Sequence, residues 1–363
     1  MPITFSEQFN ISKEVLEITG VFDVILDIDT RFLIDPALLE LCTEPEFLDA
    51  RKKVEKYFSD IITLLRHSKS QTDMYRKRAE RMLTFTELSG TCFGYSQNGT
   101  GGNAIGSVLR KTILNTIQDL MTEGDTDPVL FELLGVFQEG IGCDRVSDLI
   151  TFILREDMLQ YTQRVTEFAG VDSLSVSFGH KIYKTCRNPY NNKPLLLLPS
   201  AILSPLPIAD TFDDIDWICQ ENERVREEIN SYFDLGKKTK LHKSQILTLM
   251  RNSTSFRTAL IAAYKATPKR VYDFSEDPAG EYVWLSAARE YTEKYPLSLS
   301  QVPLETSDDV LTIAKTICNQ FKTLVEDNGL SKLLYNSNGT PKHESAAQLL
   351  FYGIADSYCD ANN

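Results

Sequence analysis

Apolar residues recur at three- and four-residue intervals along most of the chain, the pattern of helices that bury one face. Over 46–66 they are Val54, Phe58, Ile61 and Leu65, with charges between them. Over 103–121 they are Ile105, Leu109, Ile113, Ile117 and Leu120. The same reading predicts helices over 128–137 and 145–169, and again over 213–233, 243–265 and 279–294. Between 171 and 205 the period falls to two. VDSLSVSFG and KIYKTC alternate as short strands, NPYNNKP is rich in turn formers, and PLLLLPSAIL reads as a buried strand or extended segment. A second small β element is expected near 21–34.

The final third carries the clearest signals. Thr306 and Asp309 form a capping-box pattern ahead of Val310, Ile313, Ala314, Ile317, Phe321, Leu324 and Val325. Gly329 supplies a stop. Thr340 and Pro341 open a last helix through Ala346, Leu349, Leu350, Gly353 and Ile354 towards Tyr358. So amphipathic a helix has to pack on something, either this chain or a continuation of it. The expected class is mainly α with small β elements (α+β): a multi-helical chain of two packed subdomains. These are 1–170 and 211–363, joined by a β or extended junction at 171–210.

Composition narrows the function classes. The 363 residues exceed the usual single-domain length. Hydrophobic residues make up 42% and charged residues 25%, which excludes disordered, collagen-like and coiled-coil-only chains. The net charge of −13 argues against nucleic acid wrapped over the whole surface and leaves only a local basic patch for that role. MPITFSEQFNISKEVLEITG has no basic region followed by an apolar run, so it does not read as a signal peptide. The run PLLLLPSAILSPLPIA is interrupted by prolines and too short to span a bilayer. A soluble, cytoplasmic chain without a membrane partner is expected. The seven cysteines stand singly, with no CxxC, and read as buried reduced thiols. The four histidines show no metal-ligand spacing.

Four stretches could carry chemistry. In FDVILDIDTRFLIDP, a strand would place Asp27 and Asp29 on one face, where paired carboxylates could hold a magnesium ion for phosphoryl chemistry. The plainer reading is a strand end whose aspartates cap the turn opened by Asp35-Pro36. In GYSQNGTGGNAIGSVLRK, Gly99, Gly101, Gly102 and Gly106 precede a helix whose N-terminus could receive an anion or a partner. Ser107 stands where a phosphate loop requires lysine, and a tight glycine turn explains the stretch equally well. In EGIGCDRVSDLI, Arg145 and Asp148 are spaced to pair on one helix face as a structural cap. Lys237, Lys238, Lys240 and Lys243 in GKKTKLHK form a candidate nucleic-acid patch, or else a solvated loop.

Several phrases together carry a resemblance: FDVILDIDTRFLIDPALL, YSQNGTGGNAIG, LFELLGVFQEGIGCDRVSDLI, NPYNNKPLLLLPSAILSPLP, DFSEDPAGEY and AAQLLFYGIADSYCDANN. The chain resembles the N-terminal helical region of a group of prokaryotic proteins that carry a C-terminal nuclease-like domain of the PD-(D/E)xK type. The resemblance implies an aspartate and a Glu-x-Lys on later strands, which these residues do not contain. It places Glu344 in the helix that precedes such a core. It implies no nuclease activity and no cofactor for these residues alone, with Mg2+ needed only in a full-length protein, and a link to nucleic-acid defence such as resistance to phage. The expected role is a non-catalytic regulatory or scaffolding region that contacts itself or another protein. The alternatives are a stand-alone structural interaction protein and a metal-dependent phosphohydrolase built on Asp27 and Asp29.

Overall fold

The computed structural model describes residues 3–27, 30, 32–85, 88, 90–93, 105–205, 243–266, 272, 274, 282–299, 306–335 and 344–361. Helices dominate, and two small antiparallel two-stranded sheets accompany them. The expected class, mainly α with small β elements, is the one observed.

The chain opens with α1 (Phe5–Phe9) and α2 (Lys13–Thr19), followed by β1 (Phe32–Ile34). Thr4 and Glu7 cap α1 reciprocally, and the Ser6 amide and hydroxyl both donate to Asp23. Next come α3 (Ala50–His67), α4 (Met74–Met82), α5 (Ser107–Thr122) and the single turn α6 (Leu134–Phe137). In α3 the four predicted positions Val54, Phe58, Ile61 and Leu65 are all buried, and Phe58 stacks on Phe131 with ring centroids 4.8 Å apart. The helix expected over 145–169 is two helices, α7 (Cys143–Ile153) and α8 (Arg155–Phe168), broken at the buried Leu154.

β2 (Leu174–Phe178) and β3 (Lys181–Thr185) form a hairpin around Gly179 and His180, with Phe178 opposite Lys181. Asn188 then closes the NPYNNKP turn: its side chain accepts from the Tyr190 amide and donates to the Leu26 carbonyl. Leu195–Leu198 are buried but form no strand. Their backbone is satisfied from four directions, by the Cys186 and Gly90 carbonyls, the Thr162 hydroxyl and the Phe22 amide. β4 (Leu203–Pro205) pairs antiparallel with β1, Ile34 opposite Leu203.

The segment predicted helical over 243–265 is α9 (Lys243–Asn252) and α10 (Thr254–Ala266), separated at Ser253. Their buried residues Ile246, Met250, Phe256, Leu260 and Ile261 belong to the same hydrophobic core as Phe5, Phe58 and Leu198. The 171–210 segment is therefore not where the cores part. A second core holds Ala288, Tyr291, Leu299, Ile317, Leu324, Leu330, Leu350, Ile354 and Tyr358. It is built by α11 (Tyr282–Lys294), α12 (Ser307–Glu326) and α13 (Glu344–Asp360). The division thus falls between Ile261 and Ala288, because α9 and α10 complete the first core instead of opening the second.

Candidate functional site

The sequence-predicted positions separate on inspection. Asp27 lies in a bend, and no strand carries it; the β element expected near 21–34 begins only at Phe32. Asp29 is outside the described residues, as are Gly99, Gly101, Gly102, Lys237, Lys238 and Lys240. Among the described residues no three His, Cys, Asp or Glu side chains converge as a metal-holding group. Asp35 caps the 3-10 turn Pro36–Leu38 by accepting from the Ala37 amide, the plainer of its two predicted roles. Gly106 is the N-cap of α5 at φ −63°, and a Cβ added there would meet nothing within 4 Å, so no backbone constraint demands glycine. Arg145 donates to the Gly140 carbonyl at 2.8 Å. Lys243 departs from the expectation of a basic surface patch. It is 1% exposed and donates to the Ile141 carbonyl, so its ammonium serves to seat α9. Glu344 is the first residue of α13. Of the cysteines, Cys42, Cys92 and Cys186 are buried as expected, whereas Cys318 and Cys359 are exposed.

Several buried polar side chains hold elements together. Glu132 is buried between Arg51, which donates at 2.8 Å, and Tyr264, whose hydroxyl donates at 2.9 Å. Burial pushes the Glu132 carboxyl and the Tyr264 phenol upwards, while the carboxylate holds Arg51 charged. Arg257 donates to Asp125 and to the Met250 and Glu123 carbonyls, and Lys53 pairs with Asp157. These contacts tie α3, α8 and α10 to the segment that follows α5.

The site that stands out is a surface cavity of about 460 Å3 lined by Tyr57, Arg78, Arg81, Met82 and Phe152. Its position follows from α4. Asp73 caps that helix, accepting from the backbone amides of Lys69, Ser70 and Arg76 and from the Ser68 hydroxyl. Those donors hold the Asp73 carboxyl well below the usual carboxylate range. Arg76 turns inward: it is 2% exposed and donates to Gln118, Asn115 and the Lys111 carbonyl on α5. With Arg76 anchoring one side, Arg78 and Arg81, three residues apart, share a neighbouring exposed face. Neither forms an ion pair among the described residues. Tyr57 on α3 and Phe152 on α7 supply aromatic wall, and the Tyr57 hydroxyl donates to the Met82 carbonyl at the end of α4. Burial pushes the Tyr57 phenol up to about 12.

The sequence reading passed over this cluster. Its signal is the run RKRAER: between Arg66 and Arg81 the chain has six basic and two acidic residues in an otherwise acidic protein.

The second core presents a different surface. On α12, Ile317 and Leu324 face inward, while Val310 and Leu311 are 57% and 51% exposed. Ala314 and Cys318 are exposed on the same stripe at helical spacing. On α13, Tyr352 is 62% exposed. Among the described residues no helix is long and apolar enough to cross a membrane.

Comparison with known proteins places the chain by family. A model described as "Domain of unknown function (DUF8370)" matches residues 10–210, more than half of the sequence. The chain belongs to the DUF8370 family. A second, "Domain of unknown function (DUF8371)", matches residues 310–363. The family segment ends close to the expected junction but short of α9 and α10, which finish its core. The second segment coincides with α12 and α13. No curated protein and no solved structure matches the chain.

Proposed function

We propose that the chain is a non-catalytic interaction module, a regulatory or scaffolding region whose C-terminal helical unit contacts a second copy of itself. The observation that carries this reading is the stripe Val310, Leu311, Ala314 and Cys318. α12 has an apolar face already spent on its own core and a second one turned outward. An exposed apolar stripe at helical spacing suits helix-on-helix docking in water, where burying it is favourable by about 25 cal/mol per Å2. The capping box at Thr306 and Asp309 fixes the start of α12 immediately before the stripe, so its register on a partner is defined. The buried polar clusters support a structural body, since their side chains are consumed in joining helices. The resemblance noted above adds that such a module would position or restrain a nuclease-like partner in prokaryotic defence. The early-aspartate phosphohydrolase reading draws no support from Asp27, which sits in a bend instead of on a strand face.

The test is solution mass. Multi-angle light scattering across a concentration series should show self-association for the intact chain. L311D together with V310D should reduce it to a monomer while circular dichroism stays unchanged. A chain that is monomeric at all concentrations, or a double variant that associates as before, removes the reading.

A further inference from the structure

We infer that the cavity between α3, α4 and α7 binds single-stranded nucleic acid, with backbone phosphates on Arg78 and Arg81 and a base against Tyr57 and Phe152. This site is separate from the α12 stripe and does not depend on it.

Charge decides the first part. The protein carries −13 overall, yet residues 66–81 hold Arg66, Lys69, Arg76, Lys77, Arg78 and Arg81 against only Asp73 and Glu80. A basic run against a strongly acidic background has to be maintained against the net field of the molecule, and it attracts polyanions locally. Arg76 is withdrawn into the α5 contact, so the outward charge is that of Arg66, Lys69, Lys77, Arg78 and Arg81. Elsewhere on the surface, lysines such as Lys56, Lys181 and Lys265 are paired with acids. Among the described residues Arg78 and Arg81 have no such acid; Arg81 Nε donates to the Lys77 carbonyl at 3.4 Å, which leaves its terminal amino groups for phosphate.

The lining decides the second part. A patch that bound acidic side chains would need cations alone. Here the two arginines border an apolar wall of Tyr57, Met82 and Phe152, the combination that single-strand binders use to hold a backbone and stack a base. The cavity of about 460 Å3 is open to solvent and has room for a nucleotide unit. In sequence the cation run extends back to Arg66 and Lys69, both exposed, more charge than a free mononucleotide needs, and this favours a strand. A duplex would keep its bases stacked inward and could not reach the aromatic wall.

The test uses the intact chain and fluorescein-labelled dT20 and U20, read by anisotropy over a salt series. Mant-ATP, the annealed duplex and a glutamate-rich peptide serve as comparison probes. The single strand should bind, and more tightly than the duplex, mant-ATP or the peptide. R78A/R81A should weaken binding at least tenfold and lower the salt slope by about 1.4, the share of two phosphate contacts on a single strand. Both side chains are exposed, so the fold should survive, which circular dichroism verifies. F152L keeps an apolar residue in place and should weaken binding by about fivefold or more while leaving the salt slope unchanged. The inference is overturned if no probe binds, if the peptide or the duplex binds as tightly as the single strand, or if R78A/R81A leaves both affinity and slope unaltered.

Discussion

Tyr264 on α10 donates its hydroxyl to Glu132, a residue 132 positions earlier, at 2.9 Å. The other oxygen of the same carboxylate accepts from Arg51 at 2.8 Å. One buried acid therefore fastens α3 and α10 to the turn between them. Removing it leaves the Tyr264 hydroxyl without its acceptor and takes from Arg51 its buried partner, while Glu55 still accepts from Arg51 at 2.9 Å. Glu132→Ala should cost about 1–3 kcal/mol, the usual result of leaving buried hydrogen-bond donors without their acceptor. Urea unfolding measures it. A loss under about 1 kcal/mol would show that the pair is worth no more than a surface bridge.

Arg76 carries a comparable prediction through geometry. Its fork spans Gln118, Asn115 and the Lys111 carbonyl on α5, a planar arrangement that an ammonium does not reproduce. Arg76→Lys should therefore behave nearly as badly as Arg76→Ala, each losing about 2–4 kcal/mol. Burial holds this guanidinium below its usual pKa despite the nearby Glu80, Asp73 and Asp119 carboxylates, so an ammonium would meet the same desolvation with fewer donors in place. Thermal unfolding of the two variants side by side settles it; full recovery by lysine would contradict the fork argument.

Gly90 has φ +105°, and an added Cβ would lie 2.1 Å from the Pro194 carbonyl oxygen. The Gly90 carbonyl also accepts from Leu196, so the backbone cannot retreat without breaking that bond. Gly90→Ala should lower the yield of folded protein sharply, with the Leu195–Leu198 segment displaced. Proteolysis mapped by mass spectrometry would detect new cleavage near 194–198, and an unchanged digest would refute the prediction.

Asp73 gives a pH dependence. Its folded pKa lies below the ordinary value of 3.8, so its cap contributes stability above that value and loses it as pH falls through the lowered one. The amide signals of Lys69, Ser70 and Arg76 should stay fixed from neutral pH down to about pH 4 and move only below it. Asp73→Asn should abolish that acid transition; its single oxygen can still cap the Arg76 amide, but the donors from Ser68, Lys69 and Ser70 lose their acceptor. A transition in the wild type centred at or above the ordinary carboxylate value would contradict the bonding described.

The thiols divide by location. Burial raises Cys42 and Cys186 to about 11, while Cys318 and Cys359 are exposed. Iodoacetamide at pH 8 should alkylate Cys359 within minutes, should reach Cys318 as quickly only where the α12 stripe is uncovered, as in the V310D/L311D variant, and should reach the buried pair only after unfolding, as peptide mapping would report. Equal labelling of Cys186 and Cys359 in the native protein would be inconsistent with this packing.

The periodic signals were legible because helix faces record themselves in spacing. Val54, Phe58, Ile61 and Leu65 were placed correctly, and the Thr306–Asp309 box forms as its pattern implies. The β2–β3 hairpin followed from strict alternation. No Gly or Pro marks the breaks at Leu154 and Ser253; at Ser253 the signal is a serine whose hydroxyl accepts from the Phe256 amide and caps α10, and it was passed over. The position of the core boundary was equally hidden: turn-rich residues at 186–194 suggested a junction, but the contacts that count are those of Leu195–Leu198 with distant strands and helices. Charge sequence alone also fails to say which cation turns inward. Lys243 reads as part of a surface cluster and is buried, while RKRAER, which the reading passed over, sends Arg76 into α5.

Because α9 and α10 close the first core from beyond residue 242, translation must run past position 266 before that body can be sealed. Until then a nascent chain ending at 210 would leave Ile141 and its neighbours wet and the Asp125 carboxylate without its arginine. Cutting a recombinant piece at the family boundary would produce the same half-dressed body, and a cloning design that keeps the core whole should extend past Phe274, whose ring packs on Phe22 and Phe32.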